Sequence, residues 1–193
     1  MNKYILIGIP NCGKTTLGRR AAERLGMPFF DTDIMIKNRI GNVDFVDFGF
    51  LRFAERFNKE QREVVLELAR KNDPAIIATG AEIALIPSCL YVLQQIGVII
   101  HLKRDPDIIL DGLEKRSKSF VITIAVNGGP PIKSDVGAVT EYAKELFHYE
   151  AAANLSLDNN GTEEEGLEKL IALIQVLAKT DAGQGIISPS AEL

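Results

Sequence analysis

Short apolar runs alternate with longer stretches of helical period along this chain. The runs at residues 4–7, 28–30, 75–78, 98–102 and 154–157 have the length of buried strands. Between them, apolar residues recur at helical spacing over 14–25, 32–39, 58–71, 83–95, 105–116, 138–152 and 163–178. Strands that alternate with helices pair in parallel, because each helix returns the chain across the sheet. The pattern therefore predicts an α/β fold, with a five-stranded parallel sheet between layers of helices. Ligands of such sheets gather at the C-terminal ends of the strands.

One region breaks the rhythm. "SKSFVITIAVNGGPPIKSD", residues 117–135, is β-branched and then runs into Gly-Gly-Pro-Pro. A loop this long in a compact domain is usually functional or disordered, so a lid carrying a small hairpin is expected, with a plain surface loop as the alternative. The final stretch, residues 180–193, is rich in Gly, Ser and Pro and reads as a flexible tail. Residues 1–179 then form a single domain, which suits a chain of 193 residues.

Composition narrows the class. At 46% hydrophobic and 25% charged, the chain is neither disordered nor membrane-embedded in type. A net charge of −4 offers no basic face, so no nucleic-acid partner is expected. The longest apolar stretch, residues 75–100, is interrupted by Glu82, Pro87, Gln94 and Gln95, so no membrane partner is expected either. Lys3 ahead of an apolar run mimics a signal peptide, but residues 5–9 are too short for its core and no small-residue cleavage site follows. Cys12 and Cys89 make neither a disulfide framework nor a zinc pattern. A cytoplasmic protein is the expectation, monomeric, with a dimer as the alternative.

The chemistry begins at "GIPNCGKTT", residues 8–16, directly after the first strand. Gly8, Gly13, Lys14 and Thr15 satisfy G-x-x-x-x-G-K-[ST]. The glycines let the backbone curl so that its N–H groups point inward, and the helix that follows adds its positive end. Lys14 is expected on the β- and γ-phosphates of ATP and Thr15 on Mg²⁺. Asn11, Cys12 and Thr16 complete the nucleotide-binding set. Cys12 sits where a helix N-terminus lowers a thiol pKa, but a small residue that simply fits is the plainer reading.

A second acidic motif, "FFDTDIM", places Asp31 and Asp33 at the end of the second strand. Residues two apart on an extended segment face the same way, so both carboxylates would face the phosphate site. One could hold Mg²⁺ through water while the other takes a proton from an acceptor hydroxyl. Helix capping by Asp31 or Thr32 is the competing explanation. Arg116, ending a helix before the lid, is placed either on adenine or simply in solvent.

With both motifs in place, the sequence resembles the shikimate kinase family. "GIPNCGKTTLGRRAAERLG" and "PFFDTD" look like that family's opening in sequence and spacing. The resemblance implies a P-loop kinase fold and phosphoryl transfer from Mg·ATP to a hydroxyl of a small cyclic polyol acid. It implies Asp31 near the metal and Asp33 on the acceptor hydroxyl, acting with Lys14 as the catalytic pair. It also implies an acceptor site drawn from Arg56, Asn58 and Gly80. Several family arginines are replaced, however. In "FAERFNKEQ", Asn58 stands where an Arg would grip the substrate carboxylate, with Arg56 two residues away. The triple-glycine turn is "ATGAE" here, keeping Gly80 and adding Thr79 and Glu82. Gly129 takes the lid arginine's position and Glu145 that of the arginine four residues before Tyr149. Neither Asn58 nor Glu145 can pair bidentately with a planar anion.

Two main readings follow. One is a small-molecule kinase acting on shikimate or a related polyol. The other is an ATP-binding module without transfer, for which the missing lid arginine speaks. A nucleotide kinase is a weaker third. His101 and His148 lack ligand spacing. Phe45, Phe48, Phe50, Phe53 and Phe57 read as core or pocket wall rather than a base-stacking platform.

Overall fold

The computed structural model describes residues 3–41, 50–114 and 143–183, with backbone alone at 50–54, 112–114 and 181–183. Five strands appear: β1 (Lys3–Ile7), β2 (Phe29–Asp31), β3 (Ala75–Ala78), β4 (Gly97–Lys103) and β5 (Leu155–Asp158). The helices are α1 (Lys14–Leu25), α2 (Thr32–Ile40), α3 (Phe50–Arg70), α4 (Pro87–Ile96), α5 (Pro106–Glu114), α6 (Leu146–Ala152) and α7 (Glu163–Gly183). The strands form one sheet in the order β2-β3-β1-β4-β5, every pair parallel.

The central strands explain the unbroken apolar runs. Every residue of β1 and β3 is buried, because helices cover both faces. One helical group is α1 with α7; the other packs α2 against α3 and α3 against α4. Gly18 lets α1 settle on the sheet: a Cβ there would lie 2.8 Å from the Phe29 ring and 2.9 Å from Leu6. The α1–α7 seam also carries exposed ion pairs that the pattern did not announce. Arg20 reaches Glu163 at 2.6 Å and Glu164 at 2.7 Å, and Arg24 reaches Glu164 at 2.5 Å and Glu168.

Some boundaries differ from the sequence expectation, each for a local reason. The helix expected over 83–95 is split. Residues Ile83–Leu85 form a 3₁₀ turn, and the α-helix starts at Pro87, where a missing N–H costs nothing. Helix α3 begins at Phe50 rather than at residue 58, and α7 continues to Gly183, past the expected domain end. The expected lid at 117–135 and Arg116 lie outside the described residues, as do Phe45, Phe48 and the tail from 184. Phe57 packs half-buried against the core. Among the described residues, no helix is long and apolar enough to cross a membrane.

Candidate active site

The loop between β1 and α1 closes around its own backbone. Gly8 has φ +142°, Asn11 φ +62° and Gly13 φ +105°. These left-handed positions turn the chain tightly enough to aim α1's N-terminal end at the loop's concavity. The glycines are also required by space. A Cβ on Gly8 would lie 2.9 Å from both the Cys12 Sγ and the Leu102 carbonyl; one on Gly13 would lie 2.9 Å from Asn159 Nδ2.

Lys14 is buried, and its ammonium donates to the carbonyls of Gly8 and Ile9, both at 2.8 Å. Its Nζ also lies 3.7 Å from the Cys12 Sγ. The cation is thus held at the mouth of the loop by weak neutral acceptors, which an anionic phosphate would outcompete. Cys12 itself is fully buried and fills space, in line with the plainer reading. Asn11 and Thr16 are exposed at the loop.

Asp31 caps the helix that follows and still turns one oxygen toward the loop, so capping does not rule out a part in the site. Its Oδ1 accepts from the N–H groups of Asp33 at 3.0 Å and Ile34 at 3.2 Å, which caps α2. Its Oδ2 accepts from the Thr15 hydroxyl at 2.7 Å. Capping uses one carboxylate oxygen and leaves the other for the loop. The two hard oxygen donors, Thr15 and Asp31, suit Mg²⁺, which usually takes few protein ligands and completes its shell with phosphates and water. Among the described residues no group of three His, Cys, Asp or Glu side chains could hold a metal by itself.

Asp31 and Asp33 do not line up along a strand as the sequence led us to expect. Asp31 ends β2, and Asp33 lies in the first turn of α2, so no extended segment aligns them. Asp33 comes to the site instead through Gly80. A Cβ at Gly80 would sit 2.2 Å from Asp33 Oδ1, so only glycine lets the carboxylate lie against the turn after β3. The Thr32 hydroxyl accepts from the Gly80 N–H at 2.8 Å and locks that approach. Asp33 is exposed to solvent on one side and crowded by protein on the others. Its pKa is pushed up to about 6, first by desolvation, then by the Asp31 charge, with Lys14 opposing.

The turn carrying Gly80 is braced from two sides. Tyr149, buried on α6, donates its hydroxyl to the Ala81 carbonyl at 3.0 Å. Gln61, buried on α3, donates through Nε2 to Asn58 Oδ1 at 3.1 Å and lies 3.5 Å from Glu82 Oε2. Asn58 is exposed and Arg56 half-buried on the same helix. Sequence reasoning missed Gln61 and Asn159. The Asn159 amide donates to the Cys12 carbonyl at 2.8 Å and so supports the phosphate loop from the end of β5. Its position at the C-terminal end of a parallel strand was the available signal. His101, also buried, lies inside β4 beside the Tyr149 ring, with centroids 5.6 Å apart, and burial pushes its pKa down to about 4. It is a neutral core residue, as its lack of ligand spacing suggested.

The shikimate kinase family model matches residues 10–175, which takes in most of the loop, the acidic motif and the strands β2 to β5. The chain belongs to the shikimate kinase family. The shikimate kinase of Paracidovorax citrulli is 39% identical over 104 residues, 53% of this chain and 56% of that one. The chain therefore matches little more than half the length of that relative. The shikimate kinase of Francisella tularensis subsp. novicida is 26% identical over 171 residues, covering 89% of this chain and 93% of its own. A solved shikimate kinase from Acinetobacter baumannii, in complex with shikimate, superposes with a TM-score of 0.70 at 20% identity, covering 93% of this chain and 94% of its own. At that identity the superposition speaks for the fold, and the fold of this family member is the three-layer P-loop arrangement expected from its sequence.

Proposed function

We propose that this shikimate-kinase-family member transfers the γ-phosphoryl group of Mg·ATP to a hydroxyl of a small molecule, shikimate or a related polyol. The observation that carries the reading is the position of Asp33. Binding of ATP alone needs the loop, Lys14 and Thr15, but not a second carboxylate with a raised pKa seated against Gly80.

The roles divide by element. Gly8, Asn11, Cys12, Gly13, Lys14, Thr15 and Thr16 form the nucleotide side, with Arg116 proposed on the adenine. Thr15 and Asp31 would hold Mg²⁺, which would supply charge neutralisation at the phosphate oxygens. Lys14 leaves the Gly8 and Ile9 carbonyls and offers its charge to the transferring phosphoryl, where fixed cations are worth most. Asp33 accepts the proton of the attacking hydroxyl; a base with pKa about 6 is largely ionised at neutral pH and still able to take a proton. Gly80 holds that carboxylate in place, and Arg56 and Asn58 lie on the acceptor side. The protein is proposed to act in the cytoplasm, as a monomer.

The test is ADP production from Mg·ATP with and without a panel of polyols, shikimate included, with Lys14→Ala as control. Acceptor-dependent turnover that vanishes in the control is expected. Tight ATP binding with no acceptor-dependent turnover would contradict the reading and leave an ATP-binding module.

A further inference from the structure

Asn159 follows directly on β5 and is buried against the phosphate loop. Its backbone is fixed by the sheet. The N–H donates to the Lys103 carbonyl at 2.8 Å, which carries the β4–β5 pairing to the end of both strands. Its side-chain amide lies between the start of α1 and the first turn of α7, in a slot that two glycines open. A Cβ on Gly13 would lie 2.9 Å from Nδ2, and a Cβ on Gly166 would run into Oδ1.

The two glycines answer to different demands. Gly13 has φ +105°, so its backbone favours glycine whatever surrounds it. Gly166 lies within α7 and has no positive φ, at a place where glycine weakens a helix. Space accounts for it: besides Oδ1, its Cβ would meet Leu17 Cδ1 at 3.2 Å. The first turn of α7 is itself held by a reciprocal cap. Glu165 Oε2 accepts from the Thr162 N–H at 2.8 Å, and the Thr162 hydroxyl accepts from the Glu165 N–H at 3.2 Å. The Gly166 N–H then donates to the Thr162 carbonyl at 3.0 Å.

What this clamp holds is one peptide. Asn159 Nδ2 donates to the Cys12 carbonyl at 2.8 Å. In a trans peptide the carbonyl of one residue and the N–H of the next point in opposite directions. Drawing the Cys12 carbonyl toward Asn159 therefore turns the Gly13 N–H the other way, toward the concavity where such loops gather N–H groups around an anion. Glycine is the residue least able to fix that orientation by itself. A flipped peptide would present a carbonyl to the phosphates instead.

We propose that Asn159 is a positioning residue for phosphate binding: seated by Gly166, it orients the Cys12–Gly13 peptide so that the Gly13 N–H meets the phosphates of the nucleotide. This rests on the kinase reading above for its nucleotide, and not on the identity of the acceptor.

Calorimetric titration with Mg·ADP tests it, on wild type, Asn159→Ala, Gly166→Ala and the double variant. Asn159→Ala removes the anchor and should weaken Mg·ADP binding about tenfold or more, the worth of a hydrogen bond to a charged group. Gly166→Ala adds one methyl to α7, displaces the amide and should weaken binding to a similar extent. Because both act through one contact, the double variant should be no worse than the single ones, whereas independent effects would multiply to about a hundredfold. Amide NMR gives a readout that plain destabilisation would not move. The shift of the Gly13 N–H on adding Mg·ADP should shrink in Asn159→Ala, while those of Lys14 and Thr15 persist. If Asn159→Ala does not fold, Gly166→Ala carries the same two readouts. Wild-type affinity in either single variant, or multiplied losses in the double variant, would overturn this inference and leave the kinase reading standing. Failure of wild type to bind Mg·ADP would overturn both.

Discussion

The phosphate loop takes its shape from backbone, and the wall around Asp33 takes its shape from side chains. In the loop, positive φ at Gly8, Asn11 and Gly13 and the carbonyls around Lys14 set the geometry. Around Asp33, the contacts run through the Thr32 hydroxyl, the Gln61 amide and the Tyr149 hydroxyl. A backbone cradle tolerates few sequences, so it leaves a spacing signature. A side-chain wall can be rebuilt one residue at a time while the fold stays put. That contrast is consistent with a chain that carries a full phosphate motif while Asn58 and Glu145 stand where the resemblance to the family would place arginines.

Four substitutions would sharpen or break this contrast. The largest effect is expected for Lys14→Ala, which removes the loop's cation: turnover should fall about 10³-fold or more, with weaker Mg·ATP binding by calorimetry. Asp33→Asn should lower kcat about 10²- to 10³-fold while nucleotide affinity holds.

Asp33 also predicts two pH effects. Because the base works ionised, wild-type kcat/KM should rise from pH 5 to 7 through its pKa of about 6, and this limb should be missing in the variant. Stability runs the other way. Folded Asp33 keeps its proton above the ordinary value of 3.8, so the native state binds more protons than the unfolded chain between that value and about 6. Its contribution to stability therefore falls as pH rises through this window. Asp33→Asn should melt higher than wild type at pH 7, with the gap closing below pH 4.

Gly80→Ala tests the approach itself. The added Cβ would displace the Asp33 carboxylate, and a shift near 1 Å should lower kcat about 10²-fold. Nucleotide binding should be spared, because the atoms nearest the added Cβ are those of the Asp33 carboxyl. The smallest effect belongs to Tyr149→Phe. It leaves the Ala81 carbonyl without its donor and should cost about 1–2 kcal/mol in urea denaturation. If Tyr149→Phe instead abolished nucleotide binding, the separation of the two sides would fail.

The legible parts of the sequence were those with local rules. β1 and β3 showed as short apolar runs because both faces of the sheet are covered. The phosphate loop showed because its glycines answer to steric limits within a few residues. Asp31 and Asp33 were visible as a pair, but their geometry was not. The pairing depends on α2 starting one residue after β2 and on Gly80, 47 residues further along than Asp33. The split at Pro87 was written in the proline yet overridden by the apolar period around it. Asn159 carried only the general signal of a place after β5: its partner is the Cys12 carbonyl, 147 residues away, and no spacing rule connects them.

Lys14 and Asp33 are proposed to serve different halves of one transfer reaction. Measuring Mg·ATP affinity and acceptor phosphorylation side by side, in wild type, Lys14→Ala and Asp33→Asn, tests this most directly. The account predicts that Lys14→Ala loses both and that Asp33→Asn binds nucleotide like wild type while transferring almost none. Undiminished transfer by Asp33→Asn, or nucleotide binding by wild type with no transfer to any polyol, would contradict it.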